Sequence, residues 1–184
     1  MPHPVRSLQR RAGRTLFEKV SGGAAGRVER ERIHTSPGPR WFDDDSAVAR
    51  VHGDASMFPG GLRALLLQSL HPAAMAAVAS HSGYRGDPWG RLGRTSTFLA
   101  RTTFATATDA QQAVDVVRAV HARIRGTTPE GLAYAADDPW LLRWVHTAEV
   151  DSFLTAHQRF GARPLDAAGC DAYLAQAATV ADRL

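Results

Sequence analysis

Two short stretches of this 184-residue chain carry side chains whose types and spacing suggest chemistry. In DPWGRLGRTSTFLARTTF, residues 87–104, Pro88 is placed to open a helix. Leu92, Thr95, Phe98, Leu99 and Thr102 then share one face at the helical period, and Arg91 stands one turn before Thr95 on the edge of that stripe. A guanidinium beside a buried face needs an anionic partner, because an unpaired buried charge is strongly destabilising. In the second stretch, His121 interrupts an otherwise aliphatic seam of Val114, Val117 and Ile124. A neutral imidazole in such surroundings is suited to be an axial ligand of haem iron, with Nε2 toward the metal and Nδ1–H held by an acceptor. Periodicity alone favours a plainer role, a partly buried histidine with an ordinary hydrogen bond.

His146 and Glu149 form an H-x-x-E pair. A ferritin-like metal centre would need a second such pair and further carboxylates, which the chain lacks, so the residues read as a core histidine with an exposed glutamate. There is no H-E-x-x-H, no G-x-S-x-G, no phosphate loop and no G-x-G-x-x-G, which leaves hydrolytic and nucleotide-dependent chemistry without a motif.

Helices must position these side chains, and almost no strand pattern is present. Ser46 is a candidate N-cap for a helix in 45–51. LRALLLQSL, after Pro59-Gly60-Gly61, is apolar on nearly every side, as a central helix would be. His71-Pro72 interrupts it, with His71 placed to cap an Ala-rich second helix, PAAMAAVASH, and a kink is expected between them. Thr108 and Gln111 have capping-box spacing, with Gly126 as the matching stop. Asp138-Pro139 and Gly161 bracket a long helix on which Leu142, His146, Val150, Phe153 and His157 line up. Tyr173, Ala177, Val180 and Leu184 continue a helical stripe to the last residue, so the chain is expected to stop inside a helix of a longer domain. The expected fold is all-α: a single-domain helical bundle with a buried central helix pair, a basic N-terminal arm over 1–40 and a helical domain over 41–184.

The charge is uneven. Residues 1–40 hold nine Lys/Arg against three acids, a balance of +6, while the whole chain carries +4, so the body sums to −2. A near-neutral body and an arm without interleaved aromatic residues argue against a nucleic-acid-binding protein. Only Lys19 is lysine, the other 21 basic residues being arginine, which together with abundant alanine fits a GC-rich coding sequence. Contact of the arm with a membrane surface stays open. Cys170 is the only cysteine, which excludes an intrachain disulfide, and the basic N-terminus has no apolar core of a secretory signal after it. A cytoplasmic location is expected.

Taken in order, VHGD, GGLRALLLQSLHPAAMAAVASHS, DPWGRLGRT, VHARIRG and LLRWVHTAEVDSFL closely resemble the bacterial branch of the MpaB-type oxygenases, whose relatives include the latex-clearing proteins, or rubber oxygenases. The likeness runs from about Trp41 to the end. It implies an all-helical fold, haem b with its iron as cofactor, and oxidative cleavage of a hydrophobic, isoprenoid-like substrate by dioxygen. It also implies that Arg91 and Thr95 face the haem as catalytic and cofactor-binding residues and that His121 is the proximal iron ligand. Arg94 takes the place of a lysine in a latex-clearing protein and is expected among the cofactor-binding residues, although, unable to release its proton, it is not suited to distal ligation. Rubber-cleaving members use a glutamate base near the haem, whereas this chain has no Glu between Glu31 and Glu130, so a smaller lipid or isoprenoid is expected instead of polyisoprene. The redox partner is not indicated. A haem-free, lipid-binding helical protein is the other reading, with Arg91 paired to Asp87 one turn away.

Overall fold

A computed structural model describes residues 15, 18, 20, 23–83 and 85–184. Eight helices and one short hairpin occur among the described residues. They are α1 (Gly23–Thr35), α2 (Ala47–His52), α3 (Met57–Ser69), α4 (Pro72–His81), α5 (Pro88–Phe104), α6 (Ala107–His121), β1 (Arg125–Thr127), β2 (Ala133–Ala135), α7 (Pro139–Phe160) and α8 (Ala167–Ala181). Arg6, Arg10, Arg11, Arg14 and Lys19 of the basic arm lie outside the described residues.

Side-chain caps set most of the boundaries. Ser46 accepts from the Ala49 amide, Asp87 from Gly90, Asp138 from Trp140 and Leu141, and Asp166 from Gly169. Each satisfies amides that a helix start leaves without a partner. His71 caps α4 through its ring, accepting from the Ala74 amide at 3.4 Å, and α3 and α4 meet at a 105° bend there, as the His71-Pro72 step predicts. α6 differs from expectation at both ends. Thr106, not Thr108, caps it by accepting from the Asp109 amide, and it ends at His121, five residues before Gly126. Gly126 belongs to β1, which pairs antiparallel with β2 so that Gly126 faces Tyr134. A Cβ at Gly126 would collide with the Tyr134 ring, so glycine serves there in strand packing instead of stopping a helix. α8 closes at Ala181 with Asp182 as its C-cap, three residues before the end of the chain.

The core forms around α2, whose Val48 and Val51 are almost fully buried against Phe153 of α7 and Tyr173 of α8. α7, roughly 33 Å long, is the spine of the molecule, and α3 runs antiparallel along it. The small residues Gly60 and Ala64 make that approach possible; a Cβ on Gly60 would stand 3.1–3.2 Å from Phe153 and the Ser152 carbonyl. α3 is not the buried central helix that its composition suggests, because Leu62, Leu66 and Leu70 all face outward. The described part of the basic arm docks on the body. Ile33 is buried, Glu29 pairs with Arg101 at 2.6 Å and Arg32 with Asp109 at 2.6 Å. The Arg40 guanidinium donates to the carbonyls of Ile33, His34, Ser36 and Phe104, tying α1 to the end of α5.

Candidate functional site

α5 carries the predicted arginine and threonine, α6 the predicted histidine, and neither helix packs broadly against α7. Many side chains along α5, including Arg91, Leu92, Thr95, Phe98 and Leu99, are half-buried, as are His146 and Glu149 on α7.

His121 is the last residue of α6. It forms one wall of a cleft of about 420 Å³, together with Asp115, Arg118, Asp137, Leu142 and Leu184. Burial lowers the basicity of its imidazole, against a smaller opposing pull from Asp137, so the ring is neutral at physiological pH with a lone pair available. Arg91 and Thr95 do not line this cleft. Arg91 is partly buried in the first turns of α5, where burial lowers its proton affinity, Arg94 adds to that effect and Glu149 opposes it. Its anionic neighbour is therefore Glu149, across the bundle, and not Asp87. The Asp87 carboxylate caps α5 and stands 3.8 Å from Arg94. Thr95 donates its hydroxyl to the Arg91 carbonyl at 3.2 Å, and Arg94 is exposed, donating to the Ser82 carbonyl at 3.3 Å. Arg91 and Thr95 are thus neighbours, while Arg94 turns toward the α4–α5 connection and stands apart from them.

One face of α7 relates the two predicted centres. Leu142 lies in the cleft beside His121, Glu149 faces Arg91, and His146 falls between them. The seven steps of helix rise from Leu142 to Glu149 span roughly 10 Å. His146 is partly buried, and burial lowers its proton affinity against an opposing Asp182.

Glu149 is not the exposed glutamate expected from sequence. It retains a little accessible surface but is enclosed by protein, and that burial lifts its carboxyl to about 7, with Arg91 restraining the rise. Its charge also reaches Tyr173, a fully buried phenol whose ionisation is pushed up by burial first and by Glu149 second. The Tyr173 hydroxyl stands 3.4 Å from His52 Nε2, and His52 Nδ1 lies 2.8 Å from Thr103 Oγ1. Burial brings His52 down to about 4, so it is neutral, one ring nitrogen donating and the other accepting. Its ring packs edge-on against Phe153 and Tyr173. A polar set is thus assembled from α5, α7, α8 and α2: Arg91, Glu149 and Tyr173 influence one another electrostatically, and Tyr173, His52 and Thr103 stand within hydrogen-bond distance in turn. Spacing within a single helix cannot reveal it. The available signals are Glu149 one turn from His146 and Tyr173 on the inward stripe of α8.

Among the described residues, no three His, Cys, Asp or Glu side chains gather where they could hold a metal ion between them. A haem iron needs only one axial ligand from the chain, and the neutral imidazole of His121 is a donor of the right kind on the wall of an open cleft. The guanidinium of Arg91 has the charge and planar fork suited to a carboxylate of such a group. His121 is the donor that fits such a group, and Arg91 stands outside its cleft.

Comparison with known proteins returned no match among curated proteins and none among solved structures. Residues 49–184, three-quarters of the chain, match the catalytic domain described as "ER-bound oxygenase mpaB/B'/Rubber oxygenase". That span takes in α3–α8, both strands and every residue of the site just described. The chain belongs to the mpaB/rubber oxygenase catalytic-domain family, a family of oxygenases.

Proposed function

We propose that this protein is a haem b-dependent oxygenase that acts on a lipid or isoprenoid-like hydrophobic substrate with dioxygen, with His121 as the proximal iron ligand. The observation that carries this reading is the neutral imidazole of His121 on the wall of a cleft that Leu142 of α7 also lines, with the half-buried guanidinium of Arg91 under the influence of Glu149 further along the same face of α7. Family membership supports the oxygenase class.

His121 would hold the group from the α6 side, and Arg91 would pair with one of its carboxylates from α5. Haem, when bound, supplies the iron centre at which dioxygen is activated. The chain's own contribution is orientation and exclusion of water. Leu142 and Leu184 give the cleft apolar surface, as a hydrophobic substrate requires. Thr95, bonded to the Arg91 carbonyl, steadies the turn that presents the guanidinium. Glu149 holds a proton near neutrality beside Arg91, so its charge there is adjustable by small changes in its surroundings. Arg94 has no part in this arrangement. The reading places the enzyme in the cytoplasm, where a lone Cys170 stays reduced.

The test is the Soret band of protein produced with haem supplied, compared between wild type and His121→Ala. A band that the substitution abolishes or shifts strongly is expected; an identical band removes His121 from the role. The Arg91–Glu149 neighbourhood favours a second reading, since it gives the guanidinium a partner without any cofactor. A colourless protein, free of metal by elemental analysis after haem supplementation, identifies it as a haem-free lipid-binding protein.

A further inference from the structure

α3 is built inside out. Its small residues, Gly60 and Ala64, face the interior against α7, while Leu62, Leu66 and Leu70, one per turn, are 64%, 69% and 72% exposed. Leu65 widens this ridge. At the Leu70 end, His71 packs its ring against Trp144 at 5.5 Å, and Trp140, one turn earlier on α7, is 77% exposed. The apolar surface therefore continues from α3 onto two tryptophans, beyond the scattered single apolar residues that soluble surfaces carry.

We propose that this ridge docks the protein on a lipid bilayer, with the leucines in the acyl–headgroup boundary and the two tryptophans at headgroup level. The proposal is independent of the haem reading and concerns a different face from the basic arm. Three observations favour lipid over protein. First, the exposed side chains from Leu62 to Leu70 are four leucines and Ser69, whose hydroxyl donates to the Leu66 carbonyl of its own helix at 2.7 Å. Protein interfaces ordinarily carry about one hydrogen bond per 100–200 Å², whereas a lipid surface offers none to an apolar ridge. Secondly, α3 and α4 together have the length and hydropathy of a membrane segment, yet α3 is not the buried helix of a soluble core, and no described helix is by itself long and apolar enough to cross a membrane. The 105° bend between them stops the pair from crossing as a straight rod and suits it to lie at an interface. Thirdly, the Arg143 guanidinium sits 5.4 Å from the centre of the Trp140 ring, which sets a cation beside the tryptophan where lipid phosphates would be met. Arg63, the one cation on α3, is held by Asp151 at 2.5 Å and Ser152 at 2.9 Å on the α7 side, away from the ridge.

The test is flotation of the full chain with phosphatidylcholine vesicles, with and without phosphatidylserine. Wild type is compared with a Leu66→Ser, Leu70→Ser, Trp140→Ala variant. The wild type should float, with a blue shift of tryptophan emission, and the variant should lose most of this binding, about tenfold or more, since acyl-region burial of each apolar group contributes to affinity. Leu66→Phe with Leu70→Phe should retain it. The substituted side chains are exposed, so unchanged circular dichroism verifies the fold of each variant. Wild type that fails to float, or a ridge variant that floats as well as wild type through its basic arm, overturns the proposal. A dimer in sedimentation that the ridge substitutions dissolve, without flotation, would assign the face to a second copy and also overturn it.

Discussion

Replacing Glu149 with glutamine should stabilise the protein at alkaline pH and leave its stability unchanged in acid. Burial lifts this carboxyl from 4.5 to about 7, Arg91 countering only part of the effect. In the unfolded chain the ordinary value returns. The gap, at about 1.36 kcal/mol per pH unit, amounts to about 3 kcal/mol. Below 4.5 both states hold the proton and the native state keeps its full stability. As the pH rises through about 7, the unfolded chain has already ionised and the native carboxyl must do so against burial, so that stability is lost. His52 slopes the other way. Its folded value near 4 lies below the ordinary 6.5, so its contribution is present above 6.5 and is lost as the pH falls through 4. Between about 4.5 and 6.5 the two oppose each other, and the wild-type profile is flatter than either group alone would make it. Glu149→Gln removes one slope and leaves the other, so the difference between variant and wild type isolates the carboxyl. Urea denaturation from about pH 4 to pH 8.5 measures it. The expected result is coincidence at the acid end and a gain of about 3 kcal/mol, or roughly 6–12 °C in Tm, at the alkaline end. Parallel profiles would refute the burial of this group. A variant less stable than wild type at high pH would mean that ionised Glu149 gains more from Arg91 than burial costs it.

Arg91→Met should weaken haem binding by roughly 10- to 100-fold in a spectrophotometric titration, the loss of one charge-assisted hydrogen bond of about 1.5–3 kcal/mol. It should also push the Glu149 carboxyl higher, because the cation that restrains it is gone. Gly60→Ala should cost about 1–3 kcal/mol in urea denaturation, since its methyl group would press on the Phe153 and Ser152 backbone at 3.2 Å. Asp138→Ala should cost about 0.5–2 kcal/mol in the same assay, because the Asp138 carboxylate accepts from two amides at the start of α7, at 2.8 and 3.1 Å.

The helix boundaries most legible in the sequence are those with a local chemical cause. Ser46, His71-Pro72, Asp87-Pro88 and Asp138-Pro139 each act within one turn, and each stands where its residue type requires. Thr106 and Thr108 illustrate the limit. Thr106 precedes the helix whereas Thr108 lies in its first turn, and the choice of Thr106 goes with the Arg40–Thr106 bridge and the Ala107 amide donating to the Pro39 carbonyl, contacts with a distant segment. The Arg125–Thr127 and Ala133–Ala135 hairpin is too short for its periodicity to register. α3 misleads because hydropathy shows how apolar a helix is but not which side meets the core, and here glycine and alanine make the close approach. In the site, Arg91 and His121 stand out as polar side chains on apolar stripes. Glu149 escapes notice because its burial comes from other helices, and the His52–Tyr173 contact joins residues 121 positions apart.

The central claim is that the His121 imidazole holds iron. His121→Gly, produced with haem supplied, should lack the wild-type Soret and visible bands and regain them when free imidazole is added, the small molecule occupying the place of the missing ring. A His121→Gly spectrum already identical to wild type, with no response to imidazole, would contradict the assignment.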